Sequence, residues 1–346
     1  MTASTPPALR HPPLFLFLKK VFLSPRPLLS LFQKSGEQGK KYRLFTGDKL
    51  KIRKKVLCYQ RVYIYKIYYQ NQEENKMKFF EAIAEAAIKN RSMVCVGLDP
   101  DMSKLPECVR NSDKPFFNFN KAIIDATKDY VCCYKPQAAY YAGENRDDEL
   151  KMTIDYIHEN APGIPVILDV KRGDIGSTAT QYAREAFDRY GADAVTVNPY
   201  MGLDAVKPFL DYADKGVIIL CRTSNPHSGD LQNLVSDGKA LYEHVADLVR
   251  DQWNYNGNAA LVVGATYPEE LAKLRQACPE LPFLVPGVGA QGGSVAEVIK
   301  NGAVEGWGGL MINSSRGIIF AGKDENFAQA AGEAARKLRD EINSCR

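Results

Sequence analysis

In the stretch LDVKRGDIG, the chain sets Asp169, Lys171 and Asp174 at the point where an apolar run, IPVIL, stops. Strand side chains alternate between faces, so Asp169 and Lys171, two apart, point the same way and Val170 the other. An unpaired charge is costly to bury, whereas an acid, a lysine and a second acid offset one another and keep Lys171 positively charged under partial desolvation. Asp174, beyond Arg172 and Gly173, falls on the following loop, within reach of the same site or of a neighbouring subunit. Alone, this spacing fits a structural salt bridge as well as it fits catalysis.

A second lysine, Lys135 in YKPQAAYY, ends another strand-like run and is followed by a proline that stops it. On its own it reads equally as a surface lysine whose stem lies along the protein. Asp99, in GLDPD, ends a third run. Two lysines and three acids at one end of a fold make an alternating charge network. A divalent cation held by Asp99, Asp169 and Asp174 is an alternative, but Lys171 takes much of the space and charge such an ion needs. Two further loops suit an anion. PGVGAQGGS, starting at Pro286, brings Gly287, Gly289, Gln291, Gly292 and Gly293 together, and INSSRGI offers Arg316 as a fork donor. Converging backbone N–H groups plus one arginine bind phosphate, although each loop alone also reads as a tight turn. CRTSNPHSGDLQ is a long polar loop whose Thr223 and Ser224 hydroxyls suit the edge of an amide-like ring. It reads as a flexible lid or as plain solvent loop.

The elements that must position these groups repeat. Strand-like runs occupy 93–99, 130–135, 164–171, 193–198, 216–222, 259–265, 282–287 and 309–313, with amphipathic helical stretches between them. Eight strands and eight helices over 270 residues predict an α/β fold, a (β/α)8 barrel, which typically takes about 250 residues, in preference to an open doubly wound sheet, which often carries GxGxxG after its first strand. In such barrels the chemistry sits at the C-terminal ends of the strands, and phosphate is bound after strands seven and eight. Asp99, Lys135, Asp169, Lys171, Pro286 and Arg316 all stand there.

The chain carries 45 Lys and Arg against 41 Asp and Glu over 346 residues, but residues 1–76 hold 16 of the basic and 4 of the acidic ones. The basic character belongs to that segment alone, and the rest is net acidic. The segment shows no sustained helical or alternating apolar period, and its apolar piece Leu14 to Leu18 is interrupted by Lys19 and Lys20, far short of the roughly 20 residues of a membrane span. We expect residues 1–76 to be a disordered or gene-model extension, with Met77 as the natural start, and residues 77–346 to be the barrel domain. A membrane or nucleic-acid partner is not expected. Eight cysteines without a CxxC pair read as buried reduced thiols in a cytoplasmic protein, and four histidines without HExxH leave zinc hydrolysis without ligands.

Together, DVKRGDIGST, CRTSNP, LVPGVGAQGG and INSSRGI resemble the orotidine 5′-phosphate decarboxylases, most closely a bacterial group with RTSNP and PGVGAQGG; the likeness covers 79–343. The resemblance implies cofactor-free and metal-free decarboxylation of orotidine 5′-phosphate (OMP) to UMP, with Lys171 protonating C6 of the pyrimidine and Asp169 beside the substrate carboxylate. Asp99 and Lys135 would contact the ribose hydroxyls and the charge network. Asp174 and Thr178 would reach into the partner's site of a homodimer. Thr223 and Ser224 would face the pyrimidine, Pro286 would line its pocket, and Gln291 and Arg316 would hold the phosphate. Related barrels with DxKxxD, such as magnesium-dependent sugar-phosphate lyases, and a non-enzymatic phosphate-ligand binder remain the alternatives. A Schiff-base aldolase is disfavoured, because carboxylate neighbours favour the ammonium form of a lysine, which is not the nucleophile.

Overall fold

The computed structural model describes residues 77–289 and 292–346; the expectations for residues 1–76 and for Gln291 concern residues outside that range. Eight parallel strands form one sheet: β1 (Val94–Leu98), β2 (Cys133–Pro136), β3 (Ile167–Arg172), β4 (Ala194–Val197), β5 (Gly216–Arg222), β6 (Ala259–Val263), β7 (Phe283–Pro286) and β8 (Leu310–Ser314). The sheet runs β2–β1–β8–β7–β6–β5–β4–β3, and bridges from Tyr134 to Val166 and from Gln137 to Asp169 join its two ends. The strands therefore curl into the expected barrel, each within a few residues of its predicted run.

The barrel interior follows from the two-residue period. Cys95, Cys133, Ile167, Ala194, Ile218, Ala260, Leu284 and Met311 form one buried cluster, one residue from each strand in chain order. The outward residues pack under the helices; Val96, Tyr134, Leu168, Val195, Ile219, Leu261, Val285 and Ile312 all belong to the outer core. Such continuous apolar runs are what a parallel sheet buried on both faces requires.

A helix, Phe79–Asn90, precedes β1 and closes the N-terminal end of the barrel. Lys78 N–H donates to Glu81 Oε2 at 3.0 Å, a cap that starts the helix. Its buried face, Phe79, Ile83 and Ala87, joins the interior cluster. Phe79 lies so close to the start of β5 that a Cβ on Gly216 would stand 2.2 Å from its ring, so only glycine fits there. On the same side Arg275 stacks 3.8 Å from the Phe283 ring and donates to the carbonyls of Gly302, Cys278 and Leu281. Burial pushes its pKa down to about 10, and it still ties the loops that feed β7 and β8.

Two local features depart from the sequence expectation. The helical stretches after β3 and β5 widen into single π-turns, Glu185–Arg189 and Val249–Trp253. The polar segment after β5 contains a hairpin, Val235–Ser236 with Lys239–Ala240, turning on Asp237 and Gly238, both at positive φ. No helix among the described residues is long and apolar enough to cross a membrane.

Phe79→Ala removes the plug and leaves a cavity that the strands cannot close. The expected loss is about 3–5 kcal/mol of unfolding free energy, measured by urea titration.

Candidate active site

At the C-terminal end the inward rows continue from apolar to polar. Two residues beyond the interior cluster, Cys133 gives way to Lys135, Ile167 to Asp169, Ala194 to Thr196 and Met311 to Asn313; β1 passes through Gly97 to Asp99. The alternation that fills the barrel thus carries the charges to one mouth.

Asp169 is the centre of that mouth. Its side chain is 8% exposed and accepts from Lys135 Nζ at 3.0 Å and from Lys171 Nζ at 2.6 Å. Thr196 Oγ1 donates to the same carboxylate at 2.7 Å. Burial alone would raise the Asp169 pKa, but the two ammoniums and the hydroxyl overcome it and hold the carboxyl well below its ordinary value. Lys135 is buried as well; desolvation opposes its charge, and Asp169 and Asp99 outweigh that opposition, leaving it more firmly protonated than a free lysine. Lys171 differs, because its side chain is 45% exposed and points into open space with one end of its charge anchored.

The backbone at Lys171 is unusual. Its φ is +47°, a left-handed conformation that non-glycine residues adopt at a cost of order 1–3 kcal/mol. The pairing of β3 with β4 shifts register between Leu168 and Arg172, so ordinary strand partners are missing there. Thr196 Oγ1 replaces them, accepting from Val170 N–H at 3.1 Å and Lys171 N–H at 3.0 Å. One hydroxyl therefore uses its donor and both acceptor directions to fix the lysine's backbone and its counter-ion together. Arg172, on the opposite face, pairs with Glu185 and stacks on Tyr182 outside the barrel.

Asp99 is half-buried; its Oδ1 has no hydrogen-bond partner. Asp174 does not join the cluster: its carboxylate accepts from the N–H of Ile175 and makes no ion pair among the described residues. Thr178 is exposed in the first turn of the helix Gly176–Arg184. Within one subunit, then, only Asp99, Lys135, Asp169 and Lys171 of the charged candidates converge. Among the described residues no group of three His, Cys, Asp or Glu side chains is placed to hold a metal ion, and Asp99, Asp169 and Asp174 form none.

The loop after β5 is less free than its composition suggested. Arg222 is buried on the Tyr267 ring, 3.8 Å from its centroid, and reaches Glu270, Ser228 and Gln232. Thr223 Oγ1 donates to Asn225 Oδ1 at 2.7 Å and accepts from Gln232 Nε2 at 2.9 Å, so its hydroxyl is occupied within the loop. Ser224 has no side-chain partner among the described residues, and Thr266 Oγ1 donates to its carbonyl. Pro286, partly buried, ends β7 opposite Asn313. Beyond it Gly287, Gly289 and Gly292 all adopt positive φ. Gly289, Gly293 and Ser294 line a cavity of about 240 Å³ with Ser314 and Gly317 of the β8 loop. Arg316 is exposed, its guanidinium unpaired among the described residues.

Residues 92–331 match the orotidine 5′-phosphate decarboxylase / HUMPS family model. The chain is 53% identical over 270 residues to the orotidine 5′-phosphate decarboxylase of Ralstonia pickettii, covering 78% of this chain and all of that protein. The chain belongs to this decarboxylase family. Another relative, the enzyme of an Azoarcus species, is 55% identical over the same length. The OMP decarboxylase structure from Leishmania donovani superposes with a TM-score of 0.67 at 40% identity, covering 78% of this chain and 99% of that one. Each of the three alignments covers 78% of this chain.

Thr196 and Ser315 were not singled out from sequence. Thr196 had a signal in the inward row of β4, two residues after Ala194. Ser315 had none in residue type, since a serine beside Arg316 reads as loop.

The Asp169 cluster sets a pH signature. A carboxyl held below its ordinary value stabilises the fold fully above the unfolded-state pKa of about 3.9 and loses that contribution as pH falls toward the folded value. The stability difference between the parent and Asp169→Asn should be flat from about pH 5 to 9 and shrink below about pH 4, followed by urea unfolding.

Proposed function

We propose that this family member decarboxylates OMP to UMP and CO2, a step of pyrimidine biosynthesis, with Lys171 as the proton donor. The observation that carries the assignment is one ammonium, half-exposed at the barrel mouth and tied to a buried carboxylate; the glycines at positive φ after β7 and the exposed Arg316 after β8 support it.

In that reaction the bond from C6 to the carboxylate breaks and its electron pair stays on C6, where the ring offers little delocalisation. Charge must be met from outside. Lys171 is already charged and already oriented by Asp169 Oδ1 and by the Thr196-held backbone, so little reorganisation is needed as the carbanion grows. Nζ then gives its proton to C6, forming UMP, and regains one from solvent. Asp169 next to the departing carboxylate adds repulsion in the ground state, a secondary effect in our reading. The mechanism draws on no cofactor.

The phosphate would lie against the β7 and β8 loops, with Arg316 and Gln291 completing its ligands. Remote phosphate contacts help catalysis when they drive closure of the site over the reacting ring. Pro286 would line the ring pocket. Of the two hydroxyls after β5, Ser224 is the better candidate to face the pyrimidine, since Thr223 is engaged by Asn225 and Gln232.

We also propose a homodimer in which Asp174 and Thr178 complete the partner's site. Asp174 stands apart from Lys171 in its own subunit, and the neighbouring loops expose Ile175, Tyr200, Met201 and Leu203. Tyr200, the most open of them at 80%, rims a largely apolar cavity of about 520 Å³ with Leu220, Leu231 and Trp253. Contiguous exposed apolar surface of this kind marks association sites. Buried free thiols at Cys95, Cys132, Cys133, Cys221 and Cys278 support a reducing, cytoplasmic setting.

Lys171→Ala should retain UMP binding and lose turnover of OMP by about 10⁴-fold or more, the combined scale of a positioned proton donor and a preorganised charge; spectrophotometric decarboxylation and UMP titration check it. Near-normal turnover would remove Lys171 from the chemistry. Mixing Lys171→Ala with Asp174→Ala subunits after unfolding and refolding together should recover activity absent from either parent. No recovery would count against the shared site.

A further inference from the structure

One corner of the mouth lies outside the hydrogen bonds that gather on Asp169. Between β1 and β8 the inward row of β1 is interrupted by Gly97, and Ser315 and Asp99 crowd the space its missing side chain leaves. A Cβ built on Gly97 would lie 2.7 Å from Ser315 Cβ, 3.1 Å from Ser315 Oγ and 3.3 Å from Asp99 Oδ2. Both side chains approach the glycine, Asp99 through its Oδ2, and no hydrogen bond joins them. Ser315 Oγ and Asp99 Oδ1 are both shielded from solvent and both lack a partner. Buried polar atoms left without partners are rare in folded proteins and costly unless something fills them.

The chemistry of the pair selects what fills it. Asp99 offers only acceptors when ionised, and Ser315 offers one donor and two acceptor directions. A phosphate oxygen would be repelled by the Asp99 carboxylate. A neutral hydroxyl satisfies both, donating to Asp99 and accepting from Ser315. We infer that Ser315 is a substrate-contacting residue, its hydroxyl donating to a ribose hydroxyl that itself donates to Asp99. This deepens the OMP reading and rests on it for the identity of the sugar.

The placement gives Ser315 a role in specificity. It lies between Asn313, whose Oδ1 accepts from Cys95 Sγ at 3.6 Å inside the barrel, and the exposed Arg316. A serine at that point measures the sugar between the reacting ring and the phosphate. Gly97 is the other half of the device, because a Cβ there would collide with Ser315 and press on Asp99, displacing both groups.

The test uses the full chain and Ser315→Ala, with affinities for UMP, 2′-deoxyUMP and 3′-deoxyUMP and with kcat and KM for OMP. Removal of one neutral hydrogen bond should weaken UMP by about 3- to 10-fold, with a matching rise in KM. The same substitution should leave unchanged the affinity for one of the two deoxynucleotides, the one lacking the hydroxyl held by Ser315. Equal losses for all three nucleotides, or no loss for UMP, would overturn the role. Parent protein that binds UMP but does not release CO2 from OMP would sink the decarboxylase reading while the pattern across the three nucleotides still decides Ser315. Parent protein that binds none of them would overturn both.

Discussion

The structure turns on a carboxylate that is buried because two lysines share it. Asp169 could not remain ionised at its depth without them, and Lys135 could not remain charged at its own depth without Asp169. A buried ion pair is weak evidence for stability in general, since desolvation of both charges offsets much of their attraction. Here it serves a different end. Lys135 sits below the carboxylate and is nearly inaccessible, so it compensates the charge from inside; Lys171 uses the other oxygen and stays open to the mouth. One carboxylate with two unequal lysines leaves a single ammonium open at the mouth, anchored to Asp169. Asp174 is kept off it by its own loop geometry.

The barrel provides that arrangement by simple counting. Every inward residue is two from the next, so a strand that begins inside the apolar layer arrives at the mouth with its next inward side chain on the same face. Cys133 and Lys135 differ only in depth, as do Ile167 and Asp169. The N-terminal layer, sealed by Phe79, therefore sets the height at which charge begins. β3 then departs from the count. Its bulge and the left-handed turn at Lys171 lift that side chain from the row, and the lost strand hydrogen bonds are recovered by one side chain from β4.

Most of this frame was legible from sequence for a physical reason: strands buried on both faces are short unbroken apolar runs, and their polar terminators are conspicuous. Asp169, Lys171 and Lys135 declared themselves as charges ending such runs. Thr196 did not, because a threonine inside VTV is also what any β-strand favours, and its function depends on a register shift in the neighbouring strand that no local pattern encodes. The hairpin at 235–240 shows a converse case. Asp237–Gly238 is a strong turn signal, but each arm has only two residues, too few to show alternation. The anchoring of the loop after β5 was not legible from its polarity: Arg222 is paired with Glu270 and stacked on Tyr267, both from the segment following β6, a partnership set by the closure of the barrel.

The same closure explains why the mouth can be both strained and durable. A left-handed lysine costs free energy, and unpaired atoms at Asp99 and Ser315 cost more. Neither can relax alone. Lys171 is held by β4 through Thr196, Asp99 is carried by a β1 hydrogen-bonded on both sides, and Tyr141 O–H donates to the carbonyl of Leu98 immediately before it at 3.1 Å. Asn120 in turn donates to that phenol at 2.7 Å, from a helix packed outside the sheet. Outer-shell polar bonds thus fix the inward row at the position where its end is left unsatisfied. A site built this way meets its ligand with the charge and the hydrogen-bonding groups already in place, and the free energy of ordering them has been met in folding, before any nucleotide arrives.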